Sequence, residues 1–113
     1  MITIPAITVP DATVARGFTI KTKFLGPTDT KGSRVSASYK RSNEETLRAT
    51  VHWSHGLSAE QNHLRAAELL LSRANADGRA YYEEIGIGSD FVPFQITATG
   101  WDQDNYFFLA GKP

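Results

Sequence analysis

Residues 47–78 read LRATVHWSHGLSAEQNHLRAAELLLSRANADG, and the fold turns on a change of period inside them. Leu47, Ala49, Val51 and Trp53 alternate with Arg48, Thr50, His52 and Ser54, the period-two pattern of a strand with one buried face. Ser58-Ala59-Glu60-Gln61 then has the form of a capping box, in which a serine hydroxyl and a glutamine side chain satisfy each other's backbone amides. The stretch from there to about Asp77 is rich in Ala, Leu, Glu and Arg, all good helix formers. Leu64, Ala67, Leu71 and Ala74 fall on one helical stripe, which Leu70 widens. Gly78 is the expected stop, with Arg73 complementing the helix dipole one turn earlier. A strand therefore feeds a helix over 58–77.

Upstream, Phe18, Ile20 and Phe24 alternate with Thr19, Lys21 and Lys23, and Val35, Ala37 and Tyr39 alternate with Arg34, Ser36, Ser38 and Lys40. Gly26-Pro27-Thr28-Asp29-Thr30-Lys31-Gly32 and Ser42-Asn43-Glu44-Glu45 supply turn chemistry between these runs. Three alternating strands on short connections predict an antiparallel meander over 17–54. Residues 1–16 carry Ile2, Ile4, Ile7 and Val9 but are broken by Pro5 and Pro10, so they suit an edge strand or an extended arm. Downstream, 79–93 mix tyrosines, acids and glycines and suggest a surface loop or short hairpin. Phe94, Ile96 and Ala98, then Tyr106-Phe107-Phe108-Leu109, predict two last strands within 94–109, the final one well buried. The expected fold is α+β, a single-layer antiparallel sheet in the order β-β-β-α-β-β with one helix packed on one face.

A chain of 113 residues and 12.4 kDa is the size of one domain, and 41% hydrophobic with 21% charged residues is ordinary for a globular one. Lys plus Arg equals Asp plus Glu at 12 each, which removes the globally basic signature of a general nucleic-acid coater. Cysteine is absent, which excludes disulfides, thiolate zinc sites and cysteine nucleophiles. No long apolar run and no basic-then-hydrophobic N-terminus is present, so a soluble cytoplasmic chain with no membrane partner is expected.

Charge is unevenly placed. Residues 15–48 hold eight basic and three acidic side chains, whereas 49–113 hold four and eight. The positions opposite the apolar ones on the first three strands collect basic groups without a carboxylate. Lys21, Lys23, Arg34, Lys40 and Arg48, with Lys31 on the first loop, form a candidate partner-binding face for phosphates or an acidic protein surface. The competing reading is a solvated sheet face. Phe24, Tyr39 and Trp53 fall on the core-side parity, which argues against an exposed base-stacking platform. A second candidate is the acidic aromatic segment Tyr81, Tyr82, Glu83, Glu84, Asp90 and Phe91, whose rings either anchor an interface or pack back on the helix end.

Catalytic patterns are poor. His52, His55 and His63 match no ligand spacing, so neither metal nor cofactor is expected. Ser54-His55 and Ser58 lack a third triad member, and Gly86-Ile87-Gly88 lacks the strand-then-helix context of a phosphate loop.

The stretch Lys23-Phe24-Leu25-Gly26-Pro27-Thr28-Asp29-Thr30-Lys31-Gly32-Ser33-Arg34-Val35 resembles a K-Y-L-G-P-T-N-T-R-G-S-R-I-like motif of small uncharacterised proteins encoded by phages, plasmids and bacterial genomic islands. The likeness continues through Leu57-Ser58, Asn62-His63, Ala66-Ala67 and Tyr106-Phe107-Phe108, and covers residues 18–75 and 98–108. The resemblance implies a mobile-element setting and no particular reaction. In that setting the expectation is a non-enzymatic binder, an anti-CRISPR or anti-restriction type inhibitor of a bacterial defence complex. The alternative is a small nucleic-acid-binding accessory protein.

Overall fold

The computed structural model describes residues 17–113, and the expectation for residues 1–16 lies outside them. Five strands and one long helix follow in chain order: β1 (Gly17–Leu25), β2 (Arg34–Lys40), β3 (Thr46–His52), α1 (Ala59–Glu84), β4 (Gln95–Trp101) and β5 (Asn105–Gly111). All pairings are antiparallel, in the spatial order β3-β2-β1-β5-β4. The α+β architecture with one sheet and one covering helix is thus as the sequence pattern requires. The meander folds locally, and α1 carries the chain across one face so that β5 closes against β1 and β4 forms the far edge.

The helix starts where the capping box sets it. Gln61 N–H donates to Ser58 Oγ at 3.2 Å, and Ser58 N–H donates to Gln61 Oε1 at 3.0 Å. Its end differs from expectation: α1 runs through Gly78 and continues to Glu84, so 79–93 is not a loop or hairpin from its start. The reason is the ring of Phe91, which lies on Gly78. A Cβ there would sit 2.9 Å from Phe91 Cε2, so the glycine permits close approach and does not stop the helix. Gly86, at φ +82°, provides the stop. Ile87 N–H donates to the Tyr82 carbonyl at 2.9 Å and Gly86 N–H to the Glu83 carbonyl at 3.1 Å, the paired bonds of a Schellman ending.

Ile20, Val35, Ala37, Ala49, Phe108 and Ala110 from the sheet meet Ala66, Ala67, Leu70 and Leu71 from the helix in a buried core. Alanines at 37, 49, 66 and 67 bring the helix close over β2 and β3. Of the large residues expected inside, Phe18, Tyr39, Val51, Trp53 and Leu64 pack on this core while partly buried. Phe24 departs from expectation. It is 44% exposed, because it lies at the strand end and touches mainly the edge of Trp53, with centroids 5.2 Å apart.

Three polar side chains lock the helix in place. Asn62 is fully buried. Its Oδ1 accepts from Ser54 N–H at 2.7 Å, and its Nδ2 lies 2.9 to 3.3 Å from the carbonyls of Ser54, Leu57 and Ser58. Asn75 answers both backbone groups of Phe94, at 2.8 and 3.0 Å, and so fixes the entry to β4. His63 Nδ1 shares a 2.7 Å hydrogen bond with the buried Thr22 Oγ1, and its ring lies 4.4 Å from that of Tyr106. Burial holds the His63 pKa below its ordinary value.

Two outcomes follow for stability. Phe108→Ala should cost about 3–5 kcal/mol, since a fully buried ring leaves a cavity. Phe24→Ala should cost only roughly 1 kcal/mol, the scale of one aromatic pair. Chemical denaturation of the two variants measures the contrast. Because the folded state disfavours protonated His63, the unfolded chain takes up a proton first as pH falls through the ordinary histidine value near ~6.5. Stability is therefore full above that pH and declines below it. Thermal melts across this range should show a smaller decline for His63→Gln than for the native chain.

Candidate functional site

Among the described residues α1 covers one side of the sheet and nothing covers the other, and strand register decides what meets on that open face. Arg48, Ser38, Lys21 and Phe107 are successive partners across β3, β2, β1 and β5. The adjacent row is Thr50, Ser36, Lys23 and Asn105. Side chains in register share a face and stand near one another, so the short Ser38 lies between Arg48 and Lys21, and Ser36 between Thr50 and Lys23. The result is a cleft of about 340 Å³ lined by Lys21, Lys23, Leu25, Ser36, Ser38 and Arg48. Every polar side chain in that lining is a cation or a hydroxyl. Lysine and arginine offer only donors, and a serine hydroxyl also donates, so the cleft is built to receive an anion.

The six basic residues expected on this face do not all converge. Lys21, Lys23 and Arg48 form the cleft. Lys40 stands at one end of β2 in register with Thr46, and Arg34 at the other end between Leu25 and His52. Arg34 is half-buried and its Nε is enclosed without a hydrogen-bond partner, so it belongs partly to the base of the first loop. Lys31 sits on that exposed loop, where its N–H donates to Thr28 Oγ1 at 3.0 Å and its carbonyl accepts from Thr28 N–H at 2.7 Å. Among the described residues, the two ion pairs are those of Arg41 with Glu45 and with Asp77, and none involves the six.

One carboxylate stands near the cleft, from outside its wall. Asp102 in the β4–β5 turn accepts from Asp104 N–H and Asn105 N–H, both at 2.8 Å. These two backbone bonds lower its pKa, and the charge of Lys21 contributes further. Asp102 thus stays ionised beside one edge of the basic cluster.

β5 corrects two expectations. It is not buried on both sides: Phe107 and Leu109 face the open side, in register with Lys21 and Thr19, and Leu109 is 37% exposed. With Thr19, Ala98, Thr99 and Gly100 they line a neighbouring, largely apolar cleft of about 350 Å³. The open face is accordingly basic over β1–β3 and apolar over β5–β4, and an aromatic ring does stand beside the lysines. A continuous run of aromatics has no period to reveal this; the register of Lys21 with Phe107 does.

The acidic aromatic segment does not form a loop site. Tyr81, Tyr82, Glu83 and Glu84 occupy the last turn of α1, and Asp90 closes a short 3-10 turn over Gly88–Asp90. Phe91 is buried on Gly78, with the Arg79 guanidinium 4.9 Å from its centroid and the Tyr82 ring 5.4 Å away. Tyr81 stays exposed. The histidines are also separated. His52 is on the open face, His55 in the turn before α1, and His63 beneath the helix. Among the described residues no three potential metal ligands gather, and no helix is long and apolar enough to cross a membrane. Comparison with protein-family models, curated proteins and solved structures finds no match, so the open sheet face itself carries the functional argument.

Proposed function

We propose that this chain is a non-enzymatic binding protein that presents its open sheet face to an acidic partner. The carrying observation is the cleft in which Lys21, Lys23 and Arg48 surround Ser36 and Ser38, with no carboxylate in its lining. The apolar strip of Phe107 and Leu109 beside it supplies what charge alone does not, a dehydrated contact area next to a charged region. Together with the mobile-element resemblance, this supports an anti-defence inhibitor of anti-CRISPR or anti-restriction type. Such an inhibitor acts by protein–protein contact in the bacterial host's cytoplasm and needs no cofactor.

A second reading, a small nucleic-acid-binding accessory protein, gains from Phe107. A ring beside Lys21 and Lys23 offers a base a stacking surface next to phosphate contacts.

The two readings separate experimentally. Expression of the chain in defended cells should restore phage plating, and Lys21→Glu with Arg48→Glu should abolish that effect while leaving the melting temperature close to native. Against an isolated defence complex the same pair should weaken binding by about 30-fold or more, the scale of a charged hot spot. A gel shift with duplex and single-stranded probes at two salt concentrations tests the alternative. Binding that falls steeply with salt and also falls in Phe107→Ala assigns the face to nucleic acid. Full activity in the double-charge variant removes the basic cleft from either role.

A further inference from the structure

The two outer strands of the sheet are β3 and β4, and their free edges are guarded very differently. On β3, Arg48 places a charge in the strand, and Arg73 Nη1 donates to the Arg48 carbonyl at 2.9 Å, occupying an edge acceptor. β4 reads Gln95-Ile96-Thr97-Ala98-Thr99-Gly100-Trp101, with neither a charged residue nor a proline. Among the described residues its sole strand neighbour is β5. A register shift between Ile96 and Ala98 disrupts only the first half. Natural edges are normally blunted by charge, proline, a β-bulge or a covering element, because unpaired N–H and C=O groups template further pairing, and of these β4 has only the irregularity at Ile96–Ala98. The surroundings are partly apolar. Trp101 is 72% exposed, and a cleft of about 330 Å³ beside β4 is lined by Leu64, Ile96, Ala98 and Phe108 together with the polar Glu60, Gln61, Thr97 and Thr99.

We propose that a second copy of this chain pairs with the outer edge of β4, strand to strand and antiparallel, about a two-fold axis normal to the sheet. In such pairing a lysine or glutamate near the axis would stand against its own copy and bring like charges together. β4 contains none. The formal net charge is zero, so no long-range repulsion opposes association of identical chains. An isologous contact also satisfies one open edge with another and leaves no further edge of the same kind, which closes the assembly at two. The axis keeps both open faces on one side. Seven strand spacings, about 34 Å measured across the strands, separate β2 from its copy, and the two basic clefts share one face of the joined sheet. Only this last consequence rests on the function proposed above.

Sedimentation of the full chain over a range of micromolar concentrations should show a monomer–dimer equilibrium. Thr99→Lys with Trp101→Lys should weaken it by roughly tenfold or more, since both positions are exposed and acquire like charges across the axis. Thr50→Lys on β3 should leave it unchanged. Because the chain has no cysteine, Ala98→Cys at the centre of β4 supplies a single thiol, and mild oxidation should yield a covalent dimer. Thr50→Cys should not. The cross-link decides the matter even if the double lysine variant fails to fold. A monomer at every concentration overturns the proposal, as does a dimer that neither changes with the lysine pair nor cross-links through position 98. A monomer whose β4 amides exchange slowly with deuterium overturns it in favour of coverage by the chain's own residues 1–16.

Discussion

One helix must cover five strands, and it cannot. With strands about 4.8 Å apart, the outer two of a five-stranded sheet lie some 19 Å from each other, whereas a helix with its side chains is about 10–12 Å across. In this chain α1 lies over β1, β2 and β3 and reaches β5, because alanines at 37, 49, 66 and 67 allow closest approach there. Everything else about the surface follows from that placement. β4 is left with Trp101 in solvent and a largely apolar cleft at its side, and among the described residues nothing covers the opposite face of the sheet.

The helix is held off-centre by polar contacts as well as by packing. Asn62 ties its first turns to the β3–α1 connection, His63 bonds across to Thr22 on the central strand, and Asn75 takes both backbone groups of Phe94. Apolar packing alone is not directional and would tolerate a rotation or slide of α1. Buried hydrogen bonds do not, because each displaced partner would be left unsatisfied at a cost of roughly 1–3 kcal/mol. Phe91, filling the notch at Gly78, secures the far end. A fixed helix means a fixed sheet, and a fixed sheet holds Lys21, Lys23 and Arg48 around Ser36 and Ser38 on the reverse side.

The proposed binding face and the core are thus separated by the thickness of one sheet. On β1, Phe18, Ile20 and Thr22 face the core, while the odd-numbered lysines build the cleft. Substitutions at the exposed Lys21, Lys23 and Arg48 leave the core packing untouched. Arg34 is the exception on that side, since it is half-buried and its Nε is enclosed.

The sequence by itself determined the elements that local chemistry controls. Period-two alternation identified the three meander strands, the Ser58–Gln61 box fixed where the helix begins, and parity sorted Lys21, Lys23 and Arg48 onto one face. Only the tertiary structure decided the rest. Gly78 looks like a stop until Phe91, 13 residues on, is seen lying against it. Tyr106-Phe107-Phe108-Leu109 looks well buried until a single helix is seen to cover only one side of it. Thr22, Asn62 and His63 carry no apolar signal, yet they lie among the most buried side chains because their partners stand on other elements. The physical reason is common to all three cases. Periodicity reports which side of an element prefers burial, whereas coverage depends on where a distant element comes to rest.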